Sequence, residues 1–376
     1  MNPTHDQAGG ASGTSTAARP YLLRRLGVVM RPRPGDPSEA GGVLNPGGER
    51  GRDGAYYLFP RIVAQGNFSR IGIAKVIYDA AGEPCDVERL GMALSPEAPY
   101  ELNRISGGGC EDPRVTYVPA LGCYVMAYAA FGPHGPRAAL AVSTDLATWS
   151  RQGLVDFAPV GGASMNIYGN KDVMLFPDVV AGPDGRPSLA MLHRPMYELW
   201  QDTGGELTRS TLPPPGVDEL RWSVWISFCP LDRVDWAVPG TQGGAPKFDT
   251  HRLLIAPDRP WESVRIGGGT PPIRLPEGWF TIYHGIGPMP LGAPGRGIRY
   301  SAGALVLDAA DPLRVLYRSP EPILEPSDVE ERAGVVSDVV FPTAIEQHER
   351  YLDVYYGMAD SSIGVARMDL PAASPT

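Results

Sequence analysis

The sequence predicts an all-β chain folded as a five-bladed β-propeller. Three observations lead there. The 376 residues include 46 glycines and 40 prolines, a supply of turn formers that suits many short strands. No apolar face of helical period runs longer than two turns. One loose unit recurs five times: an aromatic-rich strand, a polar loop, and a second strand with small residues.

The first unit is "YYLFPRIVAQGNFSRIGIAKV", from Tyr56. The second is "CYVMAYAAFGPHGPRAALAVSTDLATW", from Cys123. The third joins "SLAMLHRPMY", from Ser188, to "RWSVWISFCPLDRVDW", from Arg221. The fourth joins "GWFTIYHGIG", from Gly278, to "IRYSAGALVLD", from Ile298. The fifth is "YLDVYYGMADSSIGVARMDL", from Tyr351. Four-stranded sheets packed radially account for this pattern. Each buries its faces against its neighbours, and ring closure protects the edges. A β-sandwich or a pair of β domains is the competing architecture.

Residues 1–20, rich in Gly, Ser, Thr and Ala, are expected to form a disordered tail, and residues 21–376 a single propeller domain. The tail lacks the basic and apolar segments of a signal peptide, and no apolar run approaches the ~18 residues of a membrane span. A cytoplasmic protein with no membrane contact is expected. The net charge of −9 argues against nucleic acid as partner. Cys85, Cys110, Cys123 and Cys229 show no metal-ligand spacing and are expected to be free thiols. None of the six histidines has ligand spacing to another, so no metal is expected.

In a propeller the strand nearest the axis aims its loop at a central pocket, so functional residues should come from matching places in different units. Polar residues do recur there. Arg61 interrupts the apolar "LFPRIV", and "VLNPGG" with Asn45 lies just before. "CEDPR", holding Glu111, Asp112 and Arg114, precedes the second unit. "YGNKDVMLFP", with Asn170, Lys171 and Asp172, precedes the third, which contains His193 and Arg194 in "LHRP". "GGGTPPIRLPEGWFTIYHG" supplies Arg274, Glu277, Tyr283 and His284. "VSDVVFPTA" and "YYGMAD" supply Asp338 and Asp360.

Each has an ordinary reading alone. Arg61 could snorkel, His193 could be a satisfied core histidine, Glu277 a turn residue, and Asp145 and Asp232 Asx-turn formers. Together they say more. Unpartnered buried charge is costly, so Arg61, Arg194, Arg274 and His284 in apolar strands should converge on an anion or a polyol. Tyr and Trp, 16 and 7 against 9 Phe, offer the apolar faces and polar edges that suit carbohydrate.

The segments "GGGCEDPRVTYV", "NKDVMLFP", "LHRP", "GGGTPPIR…EGWFTIYHG", "YSAGALVLD", "RSPEPILEP" and "VVFPTA…YYGMAD" resemble, in the same order, those of glycoside hydrolase family 130. That family comprises β-mannoside phosphorylases and related β-1,2-mannosidases, and the resemblance spans about residues 40–368. It implies a five-bladed propeller with Asp112 as general acid, its proton reaching the glycosidic oxygen through a hydroxyl of the bound mannose. It implies that Asn45, Arg61 and Asp360 hold the mannosyl unit. Glu111, Asp172, Tyr300 and Asp338 complete the substrate-binding set, Tyr300 lining the phosphate pocket. Lys171, Arg194, Arg274 and His284 would clamp inorganic phosphate, the co-substrate, with no cofactor. Oligomeric state is open, with a homo-oligomer possible.

The implied chemistry is coherent. An inverting hydrolase needs an acid and a base roughly 6.5–9.5 Å apart. A phosphorylase replaces water with an anionic nucleophile and needs one acid and a cationic clamp. The resemblance has departures. Gly169 precedes Asn170 where some phosphorylases carry a further basic residue, and Asp338 stands where asparagine is common. They keep open an inverting β-mannosidase, with Glu277 or another acid as base. A non-catalytic glycan-binding propeller is the third reading. Arg114 is expected to turn away from Asp112, toward Glu111, because a direct pair would depress the acid. Loops such as Met196–Leu220 would shape the aglycone site; that stretch reads equally as a lid, an oligomer contact or a mobile surface loop.

Overall fold

Twenty strands form five four-stranded antiparallel blades. Blade 1 holds β2 (Gly42–Arg50), β3 (Tyr56–Ala64), β4 (Phe68–Tyr78) and β5 (Pro84–Leu94). Blade 2 holds β6 (Gly108–Val118), β7 (Cys123–Gly132), β8 (Gly135–Ser143) and β9 (Ser150–Leu154). Blade 3 holds β10 (Gly169–Leu175), β11 (Pro187–Met196), β12 (Val224–Pro230) and β13 (Thr250–Ile255). Blade 4 holds β14 (Arg265–Gly268), β15 (Gly278–Pro288), β16 (Ile298–Leu307) and β17 (Val315–Arg318). Blade 5 holds β18 (Val340–Gln347), β19 (Tyr351–Met358) and β20 (Ser362–Asp369), and its outer strand is β1 (Arg24–Met30). The two ends of the chain thus share one sheet, which closes the ring. In this computed structural model the described residues are 21–103, 107–202, 207–237, 240, 244–289 and 297–370. The backbone alone is described at 199–202 and 207–209, and the expected tail, 1–20, lies outside the described residues.

The middle strands carry the apolar runs "YVMAYAAF", "LAMLH" and "WFTIYH", buried on both faces as a sheet between two others must be. The core among the described residues accordingly falls into five clusters, one at each blade interface. Phe59, Ile71, Met126 and Tyr128 join blades 1 and 2. Val125, Leu140, Met191 and Trp225 join blades 2 and 3, and Phe176, Phe228, Trp279 and Leu305 join blades 3 and 4. Phe280, Val306, Val354 and Met368 join blades 4 and 5. Val43, Leu58, Tyr355 and Val365 close the circle between blades 5 and 1. At about 1.5–3 kcal/mol per fully buried large apolar side chain, these interfaces hold the blades in place.

The five units read from the sequence begin one strand late. Each starts at the second strand of a blade, and the innermost strand is the short polar segment before it. Those segments do not read as strands because they contain Asn45–Pro46, Asp112–Pro113 or a glycine run. The glycines before Glu111 serve the sheet. Gly109 pairs with Ser69 in a short parallel bridge between blades 1 and 2, and a Cβ there would collide with the Ser69 carbonyl. The cysteines are free, with Cys85 exposed and the others buried. Among the described residues no helix is long and apolar enough to cross a membrane.

Candidate active site

Three inner strands carry the same irregularity at the same height. The pairing skips between Leu44 and Gly47, between Glu111 and Arg114, and between Lys171 and Met174. Asn45, Asp112 and Asp172 sit at these bulges with φ of 43°, 47° and 55°, and Asp338 at the head of the blade 5 inner strand has φ 61°. Asn and Asp tolerate this left-handed conformation better than other side chains, and a bulge re-aims the residue it carries. The polar groups therefore meet across the ring, near the mouth where the inner strands begin.

One half of the cluster is built around Arg61. Its Nε donates to Ser69 Oγ at 2.9 Å, one terminal nitrogen to Asp112 Oδ1 at 3.1 Å and the other to Glu111 Oε1 at 2.7 Å. Asn45 Nδ2 donates to the same Asp112 oxygen at 2.9 Å, and Lys171 Nζ donates to Glu111 Oε2 at 2.8 Å. Burial alone would raise the Asp112 carboxyl, but Arg61, then Lys171 and Arg114, outweigh it and hold the group well below the usual range. Asp360, in the tight turn after β19 with φ 50°, behaves oppositely. Burial, with Asp112 and Glu111 adding, pushes its carboxyl up to about 6 against the pull of Arg61 and Lys171.

The other half is built around Asp172. Its carboxylate lies 3.0 Å from Arg194 Nε, and 3.6 Å from both Arg114 and His284 Nε2. A Cβ at Gly267 would collide with this carboxylate and the His284 ring, so the glycine makes room for the pair. Arg194 lies 3.3 Å from His284 Nε2, which must then accept, leaving the proton on Nδ1. Burial holds His284 down to about 3, with Arg194, Arg114 and Arg265 adding to the effect against Asp172, so the ring is neutral. Arg194 and Arg265 lie 5.2 and 4.7 Å from the centre of the Trp222 ring, and Arg265 donates to the Tyr300 hydroxyl at 3.0 Å. Asp172 Oδ2 and Arg194 Nε are spent on each other as an ion pair, whereas His284 Nδ1 here and Asn45 Oδ1 in the other half are buried without a hydrogen-bond partner. Two such atoms in one cluster of buried charge mark a place for a polar ligand.

The structure brings together Asn45, Arg61, Glu111, Asp112, Lys171, Asp172, Arg194, His284, Tyr300 and Asp360, with Asp338 at the matching inner-strand position. Within this set Asp172 is the counter-ion of the basic half; its side chain is only 1% exposed. Glu111 spends both oxygens on Arg61 and Lys171. Arg114 does turn from the Asp112 carboxylate, but not toward Glu111. It donates to the backbone carbonyls of Gly268, Gly269 and Asp112. The cation paired with Asp112 is Arg61.

Arg274 is not brought to the cluster. It pairs with Trp279, five positions along β15 from His284, and lines a separate 420 Å³ hollow with Arg50, Thr116 and Gln347, where inner strands end. Five residues of extended strand at ~3.3 Å each place that pair roughly 16 Å along β15 from His284, at the other end of the inner strand. Glu277 follows at the same far end, accepting from the Tyr21 hydroxyl at 2.8 Å, so it cannot serve as base here. Sequence reasoning missed Arg265 and Trp222. The available signal was an arginine just ahead of "GGG", at the start of an inner strand. His193 is core, bonded to Asn170 at 2.9 Å and Ser227 at 2.7 Å. Among the described residues one group of ligand-like geometry, Glu346, His348 and Asp353, also lies at the far end, its carboxylates engaged by Arg50 and Arg367.

The profile of a family described as beta-1,4-mannooligosaccharide phosphorylase matches residues 93–372. A 1,2-beta-oligomannan phosphorylase of Thermoanaerobacter sp. (strain X514) is 30% identical over 324 residues, covering 85% of this chain and 87% of the relative. A beta-1,2-mannobiose phosphorylase of Listeria innocua is 32% identical over 273 residues, covering 72% of this chain and 61% of the relative. In three dimensions, the Listeria innocua beta-1,2-mannobiose phosphorylase in complex with beta-1,2-mannobiose superposes with a TM-score of 0.66 at 24% identity. That superposition covers 93% of this chain and 97% of the other, which establishes the shared fold.

Proposed function

The chain belongs to glycoside hydrolase family 130, and from that premise we propose that it is an inverting phosphorylase of β-linked mannosides. The products are α-D-mannose 1-phosphate and the shortened sugar. The observation that carries this reading is one mouth of the ring holding Asp112 beside Lys171, Arg194, Arg265 and His284. Arg265 has no carboxylate within ion-pair distance among the described residues, as expected of a cation kept for an anionic substrate. A phosphate oxygen attacks C1 on the face opposite the aglycone. The new C1–O bond to phosphate forms as the bond to the aglycone oxygen breaks. That oxygen takes a proton from Asp112 through a hydroxyl of the mannosyl unit.

Asp112 must therefore be protonated at that moment, although its cationic neighbours hold it ionised beforehand. A phosphate dianion among Lys171, Arg194 and Arg265 offsets that positive field and raises the Asp112 carboxyl. Phosphate thus prepares the acid as well as supplying the nucleophile. A hydrolase would need a second free carboxylate as base. Glu277 is at the other end of the channel, and Asp172 is enclosed by Arg114, Arg194 and His284. The buried free thiols suit a reducing compartment, so we take the cytoplasm as the place of action.

The test is incubation with β-1,4-mannosyl-glucose, β-1,4-mannobiose and β-1,2-mannobiose, with and without phosphate. Cleavage that requires phosphate and yields the α-linked sugar phosphate is expected. Release of free mannose at the same rate without phosphate would overturn the reading in favour of a hydrolase.

A further inference from the structure

Trp222 stands just ahead of β12, half-buried, and takes no part in the chemistry proposed above. Its backbone carbonyl accepts from the Ile266 amide at 3.0 Å, which ties blade 3 to the inner strand of blade 4 next to Arg265. Two guanidinium groups lie over its indole, Arg265 at 4.7 Å and Arg194 at 5.2 Å from the ring centre. The two arginines are held differently otherwise. Arg194 has a counter-ion, with its Nε 3.0 Å from the Asp172 carboxylate. Arg265 has no carboxylate within ion-pair distance among the described residues. It donates to the Tyr300 hydroxyl at 3.0 Å, and its Nε is buried without a hydrogen-bond partner.

Something must keep Arg265 beside a like charge before any anion is present. Two cations in one place repel, and a long side chain without a counter-ion keeps its rotamer freedom. An indole face opposes both tendencies. It attracts a guanidinium through the ring quadrupole, more strongly than the other aromatic rings do, and stacks on its flat surface. We propose that Trp222 is a positioning residue for phosphate: its one indole gathers Arg194 and Arg265 in advance, so that the arriving anion does not have to bring them together. In this role Trp222 acts through the two arginines and gives phosphate no contact of its own. The proposal rests on the phosphorylase reading above and says what prepares the anion site.

The experiment measures binding of inorganic phosphate to the full chain by calorimetry, and its phosphorolysis of β-1,2- and β-1,4-mannobiose. The parent is compared with Trp222→Phe, Trp222→Leu, Arg265→Ala and the Trp222→Leu, Arg265→Ala double variant. Trp222 belongs to none of the five core clusters, so leucine opens no gap in them. Trp222→Leu is expected to raise Kd and KM for phosphate about tenfold, the size of a desolvated cation–π contact. At saturating phosphate kcat, and KM for the mannoside, should stay within about twofold. Trp222→Phe keeps a ring of weaker attraction and should lose only about threefold. Once Arg265 is gone, the leucine should cost about threefold or less, because only Arg194 remains over the ring. Equal loss in the phenylalanine and leucine variants, a loss undiminished without Arg265, or a parallel rise in KM for the mannoside overturns the proposal. So does a parent that binds phosphate no better than its Trp222 variants, and in that case the phosphorylase reading stands. A parent that cleaves mannosides without regard to phosphate overturns that reading and the proposal with it.

Discussion

The channel has two mouths built from the same five inner strands, and they differ in almost everything that matters for chemistry. At the mouth where the strands begin, bulges turn Asn45, Asp112 and Asp172 into the left-handed region, and charged groups are buried against one another. At the mouth where they end, charges meet ordinary partners. Arg50 pairs with Glu346 at 2.6 Å, and Glu49 accepts from the Tyr117 backbone at 2.8 Å. Arg274 lies over the Trp279 ring at 5.2 Å. A ring of strands does not make a site by itself. The site comes from strained, bulged starts that leave polar groups unsatisfied until a ligand arrives.

The largest effect that could break this contrast is at Asp112. Asp112→Asn should lower kcat by about 10²–10⁴-fold, the range of a lost general acid, with circular dichroism and thermal melting close to the parent. The carboxamide can still accept from Asn45 and Arg61, so the fold has no reason to fail. A variant that keeps its rate would remove the acid from this mouth. Next is Arg265→Ala, expected to raise KM for phosphate about 10–100-fold, the worth of one to two charge-assisted hydrogen bonds, and KM for the mannoside little. An equal rise in both constants would mean a general disturbance and not a phosphate contact.

The contrast also has a signature in pH. His284 and His251 are held down to about 3 and about 4 chiefly by burial, and His193 is lowered for the same reason. The unfolded chain binds protons to these rings below their ordinary value of 6.5, while the folded chain does not. Their stabilisation is therefore full above pH 6.5 and declines as the pH falls toward 4. The slope approaches about 1.4 kcal/mol per pH unit for each ring. Denaturant titrations at pH 7, 6 and 5 read it directly. Asp360 runs the other way: folding favours its neutral form, so its share falls as pH rises from 3.8 through about 6. A flat stability between pH 7 and 5 would show that these histidines are not buried as neutral rings.

Much of this was legible in the sequence, for physical reasons. Middle strands such as "YVMAYAAF" must be apolar on both faces, so the repeat count survived. Asp and Asn before Pro marked the mounts of Asp112 and Asn45, because few residues fit a bulge with positive φ. What was hidden depends on height along a strand. "GGGTPPIR" holds an arginine within one motif, yet Thr270, Pro271 and Pro272 carry the chain down the channel before Arg274 is reached. The partner of Asp112 was equally hidden. Arg114 is two residues away in sequence but turns to Gly268 and Gly269, while Arg61 arrives from another blade.

The smallest effect is expected at Arg274, and it sharpens the contrast most. Arg274→Ala removes a cation that sits in a family-like motif and whose type suits a phosphate clamp, so a reading from sequence would expect a large loss. The structure gives it Trp279 as neighbour, Gln347 on its carbonyl, and no contact with any member of the acid cluster. Losing an exposed cation–π contact is worth about 0.5–1 kcal/mol of stability, a shift of a degree or two in Tm for a chain this long. Phosphate KM and kcat should stay within about twofold of the parent, inside the ±0.5 kcal/mol typical of surface substitutions. If phosphate affinity instead fell as steeply as in Arg265→Ala, the two mouths would have to be coupled through the inner strands. The site could then no longer be assigned to one end of the ring.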